Sequence, residues 1–153
     1  MLKQLIAEYP ALQATYTLPS LSDLNKDFEL DKIEYESEFV LRTIRKGMLE
    51  KLINALNFFD MLLNPPQAPR MYLPFLQTMS VQDKQVIEQL YGAFGQISLD
   101  CLSLELRYVE EQEAKMILRI AQCWNEQKST FLELMERIAH PAPVQKREKS
   151  YAG

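Results

Sequence analysis

The chain has 153 residues, 47% of them apolar and 25% charged, a balance that belongs to one globular domain and excludes a disordered chain. A formal net charge of −4 argues against broad electrostatic binding to nucleic acid or anionic lipid. With only four glycines, and none of them in an Asn-Gly, Asp-Gly or Gly-Gly pair, the tight turns of a β-rich fold are missing.

Residues 2–9 place Leu2, Leu5, Ile6 and Tyr9 at helical spacing, which predicts a short amphipathic helix that runs a little past Pro10. A linker to about Lys32 is expected after it. Polar residues interrupt the start of the chain, so it does not read as a secretory signal, and no stretch approaches a membrane span. A cytoplasmic protein is the expectation, or a nuclear one in a cell with a nucleus. Two cysteines, Cys101 and Cys123, fit a reducing compartment, and their offset along a helical hairpin argues against a disulfide.

A long helix is predicted over 36–63. Its stripe is Val40, Ile44, Met48, Leu52, Leu56, Phe59 and Leu63. Glu34, Glu36 and Glu38 gather at its start, and Asn64-Pro65-Pro66 stops it. A shorter helix is expected near 71–79. Ser80 then reads as the N-cap of a second long helix over 81–107, with Asp83 where a capping box has its acid. Ile87, Leu90, Phe94, Ile97, Cys101 and Leu104 form its inner stripe. Tyr91, Leu99, Leu102 and Leu106 carry apolar surface onto further faces. Between Tyr91 and Leu104 only Asp100 is charged. A third long helix is predicted over 110–139, opened by Glu110, Glu111 and Glu113 and closed by His140-Pro141. No proline or glycine separates the last two helices. A break near Tyr108 is still preferred, since one rod over 81–139 would be about 85–90 Å long.

The expected fold is therefore all-α: an antiparallel bundle of three long helices with the short ones packed outside, forming one domain over 1–139. Residues 140–153 are expected to be a flexible basic tail carrying Lys146, Arg147 and Lys149.

Catalysis finds little support in the residue inventory. The single histidine, His140, sits at a helix end and reads as a C-cap group. A Ser-His-Asp set or a Cys/His zinc site lacks its ligands, and the Glu-x-x-His pairs of di-iron bundles are absent. Gly92 and Gly95 lie inside a helix with no phosphate-loop lysine after them. An all-α magnesium hydrolase would need carboxylates from two facing helices. Glu110, Glu111 and Glu113 share one predicted helix with Glu133 and Glu136, about 30 Å apart along its axis. No catalytic, metal or cofactor residue is assigned.

Two constellations point to binding. Arg42, Arg45, Lys46 and Lys51 cluster on the 36–63 helix, either as a solvated face paired with Glu38 and Glu50 or as a patch for an acidic partner or a phosphate backbone. Tyr91, Gly92, Gly95, Ser98, Leu99 and Leu102 mark a helix–helix contact, inside the bundle or between subunits. Asp100 is read as exposed or bound to an arginine such as Arg42 or Arg45. The leading expectation is a non-catalytic protein whose partner is another protein or a second copy of itself. A nucleic-acid accessory protein using the basic patch and tail ranks second, and a carboxylate–magnesium hydrolase last.

Overall fold

The computed structural model describes residues 2–34, 38–141 and 143. Six α-helices account for most of them: α1 (Leu2–Tyr16), α2 (Leu21–Phe28), α3 (Val40–Leu63), α4 (Leu73–Thr78), α5 (Val81–Leu106) and α6 (Glu110–Ala139). Short 3₁₀ turns lie at Leu30–Lys32, Pro65–Gln67 and Arg70–Tyr72. No strand occurs among the described residues. No helix of the described residues is long and apolar enough to cross a membrane.

The three long helices pack on one another pairwise, and α1 and α2 lie against α3. Each presents its apolar stripe inward. Leu41, Ile44, Met48, Leu52, Phe59 and Leu62 of α3 meet Ile87, Leu90, Phe94 and Ile97 of α5 and Ile117, Ile120 and Leu134 of α6, all essentially without solvent contact. Aromatic rings fill the centre. Phe94 stacks on Trp124 at 6.0 Å between centroids, and Phe59 meets Phe131 edge-on at 5.0 Å. Both cysteines are free, Cys101 buried and Cys123 half-buried.

Several boundaries differ from expectation, for physical reasons. The first helix runs through Pro10 to Tyr16. Leu5 and Tyr9 are buried, Pro10 is exposed, and the Tyr9 hydroxyl donates to the Pro19 carbonyl at 2.6 Å. This anchoring offsets the backbone bond that proline removes. The segment read as a linker contains α2. Its N-cap is Ser20, whose hydroxyl accepts from the Asp23 N–H, and its inward residues are Leu24 and Phe28. Eight residues give too short a stripe to stand out against a loop. The third helix starts at Val40 rather than 36. Glu38 precedes the N-cap Phe39, so the acidic cluster does not open this helix; Glu36 lies outside the described residues. Phe39 is instead fixed by stacking on Tyr108, 3.8 Å between centroids.

The capping box at the start of α5 is present in full, with Asp83 N–H to the Ser80 hydroxyl and Ser80 N–H to the Asp83 carboxylate. Asp83 also binds Arg137 at 2.7 Å, which ties the start of α5 to the end of α6. Burial raises the Asp83 pKa, but the Ser80 hydrogen bonds and Arg137 outweigh it and hold the carboxyl below its ordinary range.

The chain does break near Tyr108. Arg107 and Val109 are extended, and α6 starts at Glu110. His140 is the C-cap of α6, with its backbone N–H on the Glu136 carbonyl.

Candidate interaction surfaces

The four cations of the third helix form no common surface patch. Arg45 is fully buried. Its Nε donates to Glu113 at 2.6 Å, and its Nη2 reaches Glu105 at 2.8 Å. Glu113, also fully buried, accepts from Arg42 Nε at 3.1 Å. Arg42 Nη2 donates to the Leu104 carbonyl at 2.6 Å, satisfying one of the last carbonyls of α5. Its guanidinium lies over the rings of Tyr108 and Phe39, 5.3 and 5.9 Å from their centroids. Lys46 pairs with Glu105 at 3.0 Å.

This cluster therefore stitches the start of α3 to the corner between α5 and α6, where the sequence has neither proline nor glycine. Burial disfavours the Arg45 charge, but Glu113 and Glu105 outweigh it and raise its pKa. Glu105 is likewise desolvated, and Arg45 and Lys46 more than compensate, so its carboxyl is held below the ordinary range. Lys51 stands apart from the other three. Its ammonium donates to the Asp27 carbonyl and lies 5.2 Å from the Trp124 ring centroid. Asp100 does bind an arginine, but Arg119 of α6 rather than one from α3. The tail residues Lys146, Arg147 and Lys149 lie outside the described residues.

A second surface is a groove of about 740 Å³ bordered by α2, α3 and α6, within the size range of small-molecule sites. Phe28, Ala55, Trp124 and Phe131 line its apolar side, and Glu29, Lys32, Glu50 and Lys51 its rim. Lys32 pairs with Glu29. The Trp124 indole N–H is buried without a hydrogen-bond partner among the described residues. No hydroxyl, thiol or imidazole side chain is among the lining residues. Helical periodicity gives no sign of this groove, because one wall is the end of α2 and the segment after it, Phe28, Glu29, Lys32, Ile33 and Glu34. Ser20 and Asp23 followed by Leu24 and Phe28 was the available signal. Among the described residues no three His, Cys, Asp or Glu side chains converge as a metal site would require.

The third surface is the outer face of α5. Leu99 is 63% exposed, Leu102 62% and Leu106 89%, and Tyr91 is also exposed. Steps of three and four put Tyr91, Gly95, Leu99, Leu102 and Leu106 on one side, opposite the buried stripe. The two glycines answer to no close helix approach within the bundle. A Cβ at Gly92 would meet nothing within 4 Å, and one at Gly95 would meet only the Leu56 side chain at 3.9 Å. Neither has a positive φ. Each costs about 1 kcal/mol of helix stability relative to alanine, and packing within the chain returns nothing for it. Ser98 is half-buried.

Comparison of the chain with protein-family models, with curated proteins and with solved structures finds no match.

Proposed function

We propose that this is a non-catalytic helical protein that acts by protein–protein contact, as an adaptor, regulatory or assembly subunit, with the outer face of α5 as its docking surface. The observation that carries the reading is the row Tyr91, Leu99, Leu102 and Leu106, exposed on one side of one helix. Scattered exposed leucines are ordinary, but a contiguous apolar strip marks an interaction site. Its charged neighbours do not oppose burial: Asp100 turns onto Arg119, and Glu105 onto Arg45 and Lys46. The nucleic-acid reading draws no support from Arg42, Arg45 and Lys46, each of which is already paired with Glu105 or Glu113.

The test replaces Leu99 and Leu102 together by lysine, with Leu132→Lys on α6 as an exposed control. Tm and helical circular dichroism should hold in both. Light scattering and capture by the tagged chain should show association lost in the α5 variant and kept in the control. A double variant that associates as well as the parent would remove the proposal.

A further inference from the structure

We propose that the groove bordered by α2, α3 and α6 binds a small organic cation, one ammonium group at the end of a slender apolar body. No residue of α5 lines this groove, so the site is separate from the docking face and adds a ligand to a protein read above as non-catalytic.

One side of α3 faces the groove. Gly47, Glu50, Lys51, Asn54, Ala55 and Phe58 fall at i, i+3, i+4, i+7, i+8 and i+11. The row changes character along the helix. At its N-terminal end Ile33 packs on Gly47, which brings Glu34 to the turn that precedes Glu50. At its C-terminal end stands Phe58. The α6 side follows the same direction. Trp124 lies level with Lys51, whose ammonium is 5.2 Å from the ring centroid, and Phe131 lies level with Phe59, 5.0 Å between centroids. Trp124 also meets Phe28 at 5.7 Å and Phe131 at 6.3 Å, so the aromatic wall is continuous. From Glu50 to Phe58 the groove runs about 12 Å along α3.

Charge selects the head group. Glu29, Glu34 and Glu50 line the groove against Lys32 and Lys51, an excess of negative charge. Both cations are held in place, Lys32 on Glu29, and Lys51 on the Asp27 carbonyl and over Trp124. The Glu34 and Glu50 carboxylates have no ion-pair or hydrogen-bond partner among the described residues. Two free carboxylates at one end of an aromatic-walled groove attract an ammonium group and repel an anion, while the rings take up the apolar body. A few polar groups that orient a ligand on a mostly apolar wall are what a small-molecule site requires, and a groove of about 740 Å³ has the size for one.

Phenylbutylammonium, phenylbutanol and phenylbutyrate share a body that spans the groove and differ in head charge. Their binding to the full chain at low salt is read by calorimetry and by the fluorescence of Trp124. Phenylbutylammonium should bind saturably with a Kd of about 1 mM or tighter. The alcohol and the carboxylate should bind at least about threefold more weakly. Glu34→Gln with Glu50→Gln replaces two exposed side chains and should leave the Tm unchanged. It should weaken the ammonium about threefold or more and leave the alcohol as it was. Equal affinity for the three probes, a response that does not saturate by about 10 mM, or a double variant that binds the ammonium like the parent would each overturn the proposal. A chain that binds no probe until residues 144–153 are removed would put the basic tail in the groove and overturn it equally. None of these results bears on association through Leu99 and Leu102, which is tested separately.

Discussion

Replacing Glu113 by alanine removes the anchor of the α3–α5–α6 corner. It leaves Arg45 buried, with Nη1 already without a hydrogen-bond partner among the described residues and Glu105 as its remaining acid. It also strips Arg42 of one of its two acceptors. Breaking a buried ion pair from one side costs about 3–5 kcal/mol. Glu105 is 38% exposed and still compensates Arg45, so the lower part of that range, about 3 kcal/mol, is expected. For a domain holding about 5–15 kcal/mol this is a large fraction, and for a chain of this size it lowers Tm by roughly 6–12 °C.

Urea unfolding at one fixed protein concentration measures the loss, followed by circular dichroism and by the fluorescence of Trp124, the single tryptophan. The double replacement Arg45→Met with Glu113→Met removes both charges and should recover most of the loss, because the desolvation cost disappears with the ions. A loss of less than about 1 kcal/mol in Glu113→Ala, the scale of an exposed pair, would refute the argument that this buried cluster holds the corner.

Gly47 differs from the α5 glycines in being packed: a Cβ there would sit 2.3 Å from Ile33 Cδ1, 3.1 Å from Ile33 Cγ1 and 3.3 Å from Leu30 Cδ2. Gly47→Leu should therefore displace the 30–33 turn from α3 and destabilise by about 1–3 kcal/mol, whereas unchanged urea stability would show that the turn yields freely. Asp83 and Glu105 both have folded-state pKa values held below the ordinary carboxylate range. Each favours the folded chain above its unfolded pKa, and that contribution is lost as pH falls through the depressed folded value. Tm should decline below about pH 4.3, and Asp83→Asn should flatten that decline. An equally steep decline in Asp83→Asn would show that Asp83 takes no part.

The candidate sites were legible to different degrees. Apolar excess on α5 is a local property, visible as Tyr91, Leu99, Leu102 and Leu106 beside a complete inner stripe, and the structure leaves those residues exposed. The basic cluster was visible as residue types, but not as a set of pairs. The partners of Arg42, Arg45 and Lys46 lie more than fifty positions away, at Leu104, Glu105 and Glu113, and no periodicity within one helix reports on them. The groove escaped notice because its lining draws on three separate elements.

Helix type and the greater part of the helix limits were determined by the sequence alone. Hydrophobic repeats of three and four, the Ser80–Asp83 cap and the proline stops act over a few residues, which is the range over which backbone hydrogen bonds and side-chain spacing operate. Tertiary structure decided which charges become structural, why α1 continues through Pro10, and which glycines are crowded. Those outcomes depend on desolvation and close packing, and both are set by groups brought together from distant parts of the chain.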